Sequence, residues 1–289
     1  MSPTQSHRPA LTTRAPSAPE PRALEPDQDN SARIEALRGQ DGNFSQHGFR
    51  PPDAGGFGGR VALTFDDGPD IEKTPRILEI LEKHGILATF FVHGAELDHE
   101  GALEVAQQIR DKGHLIGNHT ESHVLLGGAP RAQPHLAGSQ IDRTRERLAD
   151  LTVDQPSQFL RFPGGDANAG SIRAAESRGY AVAGWHVDSA DWCFDETIRR
   201  RAGPAGTCAE SVFRYMVGDR TDFAGSIVES TKKFDGGILL FHDTRSFTVD
   251  HLESVIEALV SSGFTFTNLD DAETFPILNA QAAALQQQP

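Results

Sequence analysis

The sequence predicts an α/β fold built on a parallel sheet, and three observations carry that expectation. Between about residues 57 and 270, short β-prone runs alternate with amphipathic helical stretches, roughly seven times and without internal repeat. The residues richest in chemistry fall just after the ends of those runs, where a βα-barrel gathers its site. A chain of 289 residues with 37% hydrophobic content is long enough to bury a core and close such a barrel.

The elements follow in order. Gly55-Gly56-Phe57-Gly58-Gly59 opens the pattern, and the first strand spans 60 to 65, cut off by Gly68-Pro69. Thr74 to His84 spaces Ile77, Leu78, Ile80 and Leu81 as one helical face, with Gly85 as its stop. Leu87 to Val92 is a strong strand, Glu100 to Lys112 a helix ended by Gly113, and His114 to Asn118 a short third strand. Ser139 to Asp150 turns Ile141 and Leu148 inward as a helix, leading to a strand at Gln158 to Arg161. Ala169 to Arg178 reads as a helix and Ala181 to Val187 as a strand; an insertion from Asp188 to about Lys233 follows. The pattern resumes with strand Gly237 to Phe241, helix Asp250 to Ser261 and strand Gly263 to Thr267.

Residues 1–55, rich in Pro, Ser, Gln, Arg and Glu, read as a disordered leader or tether with at most a short helix around Ala32 to Leu37. The folded domain is expected over 56–276, and the Ala/Gln-rich 277–289 as a second disordered tail. The start of the chain lacks the basic residues and apolar run of a signal peptide, which leaves a cytoplasmic protein or a signal removed or misassigned upstream. No membrane span is expected. A formal charge of -14 and a pI near 5.2 repel phosphate backbones, so nucleic acid is not an expected partner. Cys193 and Cys208 enclose a loop whose closure by a disulfide stabilises by about 3 kcal/mol in an oxidising compartment. Two free structural thiols are the alternative. Neither lies in a Cys-x-x-Cys motif, which disfavours redox catalysis and a thiolate zinc site.

Five short motifs sit at the strand ends. Asp66 and Asp67 close the first strand; at the change from strand to turn, neighbouring carboxylates can reach one site, one holding a cation while the other takes a proton. The same Asp-Asp-Gly-Pro is also ordinary turn chemistry. His119 and His123 in HTESH stand at i and i+4, a spacing that on a helical face grips one metal ion, although twelve histidines make a chance pair possible. Arg161 in RFPGG offers a cation to a carboxylate, and its Pro-Gly-Gly turn offers backbone N–H groups. DSADW, from Asp188 to Trp192, supplies an acid and an aromatic platform for a sugar face, or else a helix cap and a core Trp. His242 ends an apolar strand, as a site residue or a satisfied core histidine.

In this order, TFDDGP at 64 to 69, HTESH, RFPGG, DSADW and LFH at 240 to 242 resemble the five motifs of the NodB-type polysaccharide deacetylases, carbohydrate esterase family 4. The resemblance spans about 57 to 270 and implies a distorted (β/α) barrel, with residues 56–276 as the NodB homology domain. It implies hydrolysis of acetyl groups, mostly N-acetyl and less often O-acetyl, from polysaccharides, with a divalent metal, Zn2+ by default and Co2+ or Ni2+ as alternatives. Residue by residue it implies Asp66 as general base, Asp67, His119 and His123 as metal ligands, Arg161 as orienter of the base, and His242 as general acid tuned by Asp191. Trp192 would wall the groove, Leu240 would line the pocket for the acetyl methyl, and backbone N–H near Gly164 would face the oxyanion. Gly164 departs from the usual larger residue there, which removes one groove wall. Peptidoglycan, chitin oligomers, poly-N-acetylglucosamine and acetylxylan all suit this set, and such polymers imply export to the periplasm, envelope or medium. Oligomeric state is not legible. Rival readings are a silent carbohydrate-binding protein on the same scaffold, an O-acetyl esterase acting on xylan, a non-haem iron oxygenase, and a glycoside hydrolase using Asp188 and Asp191.

Overall fold

All strand pairs in the sheet run parallel, which the alternation of strand and helix requires. The computed structural model describes residues 56–129, 131–152, 158–194 and 221–287. The expected leader, its helix near Ala32 to Leu37, Cys208 and most of the insertion after Trp192 lie outside the described residues.

The strands are β1 (Arg60–Asp66), β2 (Thr89–Val92), β3 (Leu115–Asn118), β4 (Phe159–Leu160), β5 (Ala181–Val182), β6 (Val187–Asp188), β7 (Gly236–His242) and β8 (Thr265–Thr267). Seven of them form the path β5-β4-β3-β2-β1-β7-β6, and β8 pairs with β1 off that path. Along β1 one edge is shared: β8 takes Arg60 to Ala62, and β2 takes Thr64 to Asp66. The other edge pairs with β7 over its full length, Arg60 with Gly236 through to Asp66 with His242. The ends of the path, β5 and β6, are not paired with each other among the described residues, so the sheet curls into a distorted, incompletely closed barrel.

The helices are α1 (Lys73–His84), α2 (Ala102–Asp111), α3 (Ala137–Leu148), α4 (Ala169–Glu176), α5 (Asp191–Phe194), α6 (Phe223–Lys232), α7 (Ser246–Ser261) and α8 (Pro276–Gln286). Helix α1 buries Thr74, Ile77, Leu78 and Leu81, one stripe at helical spacing, and ends on Gly85 at φ 64°. Asn168 starts α4 through a capping box with Ser171.

Strand alternation sorts β1 into two faces. Val61, Leu63 and Phe65 join the large outer core with Ile77, Leu78, Leu252 and Ile256, whereas Ala62 belongs to an inner cluster with Phe91, Leu115 and Ile238. Thr64 and Asp66 share the inward face with Ala62, so the barrel interior turns polar toward the C-terminal mouth.

Two expectations are corrected. The single strand from Ala181 to Val187 is two, β5 and β6, at opposite ends of the path. Between them the Ala183 N–H still donates to the Leu160 carbonyl of β4 at 2.8 Å, but the carbonyls of Ala183 and Gly184 accept from the Arg161 guanidinium at 3.2 and 2.8 Å, so these two acceptors serve a side chain rather than a neighbouring strand. The expected disordered tail is largely helix α8, which buries Leu278 and Ala282 against the inner cluster with Phe57, Leu269 and Phe275. Its apolar residues, weak as a periodic signal, gain a partner only in the folded domain.

Candidate metal centre and its flanking acid and base

The mouth of the barrel gathers residues from five strand ends. Asp66 is the last residue of β1; Asp67 follows with φ 77°, a left-handed conformation that is costly for a non-glycine residue and concentrated at functional sites. The reversal turns its carboxylate toward the same mouth. Gly68 is required next, because any Cβ would lie 2.0 Å from the Asp243 carboxylate.

The second motif is not a helix, which corrects the expected helical face. His119 to His123 form an irregular loop after β3, with Thr120 at φ 66° and His123 at φ 52°. Asn118 Oδ1 accepts the Thr120 N–H at 2.8 Å, and Gln140 of α3 accepts the N–H groups of Glu121 and Ser122 at 3.1 and 2.9 Å. This pinned loop sets the two imidazole centroids 5.3 Å apart. Their Nε2 atoms lie 3.3 Å (His119) and 3.1 Å (His123) from Oδ1 of Asp67. His119 is buried and donates Nδ1–H to the Arg161 carbonyl at 2.9 Å, which in the neutral ring leaves the lone pair of Nε2 facing Asp67. His123 is 42% exposed at the rim.

A divalent ion fits this set. The ligand atoms of Asp67, His119 and His123 lie within 4.8 Å of one another. Oδ1 of Asp67 is buried yet makes no hydrogen bond, although two imidazole nitrogens face it: one carboxylate oxygen and two ring nitrogens converge on one point. Burial favours a neutral Asp67, but His119 and His123 outweigh it and hold the carboxyl well below its ordinary value. Burial likewise opposes charge on His119, and the Asp66 and Asp67 carboxylates push it up instead. Another cluster, His84 with Glu253 and Glu257, lies nearer the surface, and Glu253 is already paired with Lys83.

Arg161 is buried across the barrel interior. Nη1 donates to Oδ1 of Asp66 at 2.8 Å and to Thr64 Oγ1 at 2.7 Å; Nε and Nη2 reach the carbonyls of Ala183 and Gly184. Its guanidinium carbon sits 4.2 Å over the Phe91 ring. Oδ2 of Asp66 remains toward the centre, 3.8 Å from His119 Nε2.

On the other side of Asp66 stands His242, its register partner on β7. Nδ1 of His242 lies 2.7 Å from Oδ1 of Asp191, and the His242 backbone N–H donates to Oδ2 at 2.7 Å. Asp191 also accepts from the Trp192 N–H and, in a short contact, from the Thr248 hydroxyl. Burial disfavours a charged His242 imidazole, yet Asp191 beside it and Asp67 and Asp66 farther off push it up to about 10. Asp191, also buried, is held below its ordinary value by His242. These commitments leave Asp191 no role as half of a glycosidase pair with Asp188, whose own Oδ1 accepts the Ala190 N–H at 2.9 Å.

Leu240 is buried in β7, level with Thr64, one inward position below Asp66 and His242, and so forms the floor beneath them. Gly164 is exposed with φ 58°, a conformation that suits glycine in the Pro-Gly-Gly turn, and open space adjoins it apart from Leu125. Trp192 is half-buried and rests on the outer core. Cys193 is disulfide-bonded, and the chain's other cysteine, Cys208, lies outside the described residues.

Sequence reasoning missed three residues. His93, after β2, sets its ring centroid 6.0 Å from that of His123 and its Nδ1 3.3 Å from Glu96. Thr248 bonds Asp191, and Arg245 approaches Asp67. His93 and Arg245 follow strand ends, a signal open to sequence reading; Thr248 lies within a helix and had none.

An Asp-His-His cluster flanked by an Asp–Arg and an Asp–His pair, at the C-terminal mouth of a parallel barrel, is the arrangement that a metal-assisted hydrolase would need. Residues 57–183 match the family profile described as polysaccharide deacetylase. A peptidoglycan-N-acetylglucosamine deacetylase of Bacillus cereus is 32% identical over 213 residues, covering 72% of this chain and 66% of the relative. One of Listeria monocytogenes is 30% identical, covering 73% of this chain and 38% of the relative. A solved peptidoglycan N-acetylglucosamine deacetylase superposes with a TM-score of 0.56 at 28% identity, covering 73% of this chain and 86% of that one. The chain belongs to the polysaccharide deacetylase family, the one its five motifs resemble. It spans about two thirds of the first of these curated relatives and 38% of the second.

Proposed function

We propose that the chain is a metal-dependent deacetylase that removes acetyl groups, chiefly the N-acetyl of N-acetylglucosamine-type residues, from a polysaccharide. The observation that carries this reading is the convergence of Asp67, His119 and His123 on one point, with Asp66 and His242 on a single rung beside it. Asp67, His119 and His123 would hold the ion, Zn2+ by default, since aspartate and imidazole suit it while also accepting Co2+ or Ni2+. Such an ion, when bound, lowers the pKa of a water to about 7 and polarises an acyl oxygen.

The chain's own groups supply the rest. Arg161 engages Oδ1 of Asp66, leaving Oδ2 to take a proton from the attacking water. The hydroxyl oxygen forms a bond to the acetyl carbon, and the carbon–nitrogen bond breaks. His242, protonated and turned by Asp191, delivers a proton from Nε2 to the departing nitrogen, so that acetate and a free amine leave. The backbone N–H near Gly164 would donate to the developing oxyanion. Leu240 would meet the acetyl methyl from below, and the exposed part of Trp192 would flank the sugar.

Relatives named for peptidoglycan support a cell-wall glycan as the polymer and action outside the cytoplasm. Among the described residues no helix is long and apolar enough to cross a membrane. Intact Asp66 and His242 argue against a silent binding protein. The test is acetate release from acetylated peptidoglycan, chitin oligomers, poly-N-acetylglucosamine and acetylxylan, with and without a chelator. Chelator-sensitive acetate from an N-acetylated glycan is expected; reducing ends without acetate would overturn the reading.

A further inference from the structure

The two oxygens of Asp67 face different partners. Oδ1 faces the imidazoles of His119 and His123, whereas Oδ2 lies 3.4 Å from Nη2 of Arg245. Arg245 immediately precedes α7, and its backbone N–H donates to the His242 carbonyl at 3.3 Å, so the turn that carries His242 also places this guanidinium. The side chain is 24% exposed, and its Nε is buried without a hydrogen-bond partner. Among the described residues, Asp67 is the carboxylate within ion-pair reach of it. The one side-chain hydrogen bond this guanidinium makes among the described residues is therefore the one to Asp67.

We propose that Arg245 is a positioning residue for the ion site: it engages Oδ2 of Asp67 and reserves Oδ1 for the ion, so that the aspartate ligates through one oxygen. A carboxylate free to rotate about Cβ–Cγ can chelate through both oxygens. Holding one from outside fixes its orientation and withdraws negative charge from the other. The Arg161 carbonyl fixes the His119 ring in the same way, through Nδ1. Arg245 thus does for the carboxylate ligand what that carbonyl does for the imidazole ligand. The inference rests on the metal-dependent reading above.

The test loads Co2+ into metal-freed, full-length wild type, Arg245→Met and Arg245→Lys, and records visible absorption, which reports the number of donor atoms without turnover. Circular dichroism melts of the metal-free proteins check the fold. Expected is a wild-type melt for Arg245→Met, a weaker Co2+ absorption as the donor count rises, and kcat lower by about 10–100-fold with KM unchanged. Arg245→Lys, which keeps a cation within reach, is expected to recover most of both. Identical Co2+ spectra for wild type and Arg245→Met overturn the inference, whether activity is unchanged or only KM rises; a raised KM alone would assign the guanidinium to substrate. If Arg245→Met does not fold, Arg245→Gln carries the same spectral readout. A wild type that takes up no Co2+ overturns the metal reading itself, a distinct result.

Discussion

Asp66 and His242 occupy the same rung of adjacent parallel strands, and each is fixed by an opposite charge from elsewhere in the fold. Arg161 holds the first at 2.8 Å and Asp191 the second at 2.7 Å. Neighbouring strands stand about 4.8 Å apart, so the separation of proposed base and acid is set by the sheet rather than by mobile side chains. The proposed ion ligands reach the same mouth from the turn after β1 and the pinned loop after β3.

Asp191→Asn should move the basic limb of kcat/KM toward lower pH. Against burial, the neighbouring Asp191, with Asp67 and Asp66 farther off, holds His242 protonated up to about 10; without the Asp191 anion the imidazole falls toward the ordinary value of about 6.5. At pH 8 the proposed acid would be deprotonated, with a loss of about 10²–10⁴-fold. The wild-type pairing also contributes stability that is fully present below about 6.5 and is lost as pH rises through about 10. The pH–rate profile checks this, and an unmoved basic limb would contradict it.

Arg161→Ala should destabilise the metal-free protein by about 3–5 kcal/mol, because it leaves the Asp66 carboxylate buried without its partner. Arg161→Lys should not rescue, since one ammonium cannot span Thr64, Asp66, Ala183 and Gly184 as the guanidinium does. Urea denaturation measures both, and a loss under about 1 kcal/mol would show that the pair carries little of the fold.

Asp243→Asn should stabilise the metal-free protein at alkaline pH. Burial raises this carboxyl to about 7, and its Oδ1 is buried without a partner while Oδ2 accepts from Thr74 at 2.6 Å. The folded state therefore keeps a proton that the unfolded chain releases from about pH 4, so stability falls as pH rises through that window. The amide keeps the shape beside Gly68 and the bond from Thr74. Thermal melts should show a higher Tm than wild type at pH 8 and little difference at pH 4, and the reverse order would overturn the assignment.

The parts of the site legible in the sequence are those set by local structure. Asp66-Asp67 and His242 stand where an apolar β-prone run meets a turn, and strand ends of a parallel barrel open on one mouth. The loop carrying His119 and His123 was not legible: its shape comes from Gln140 and Asn118 and from two left-handed residues, and i,i+4 spacing reads as helix by default. Nor was the break between β5 and β6, because the carbonyls at 183 and 184 are claimed by an arginine from another strand end. Helix α8 is rich in alanine, and its large apolar residues, Ile277, Leu278 and Leu285, mark no clear periodic face without the inner cluster that receives it. Arg245 immediately precedes α7 and Thr248 lies in its first turn, but what they touch depends on Asp67 after β1 and Asp191 of α5.

The most direct measurement is a Zn2+ titration of metal-freed, full-length protein against a chromophoric chelator, for wild type, Asp66→Asn and His119→Ala. One tightly held ion per chain is expected for wild type and for Asp66→Asn, the latter without acetate release, and binding at least about 10–100-fold weaker for His119→Ala. Wild-type affinity in His119→Ala would contradict the proposed centre.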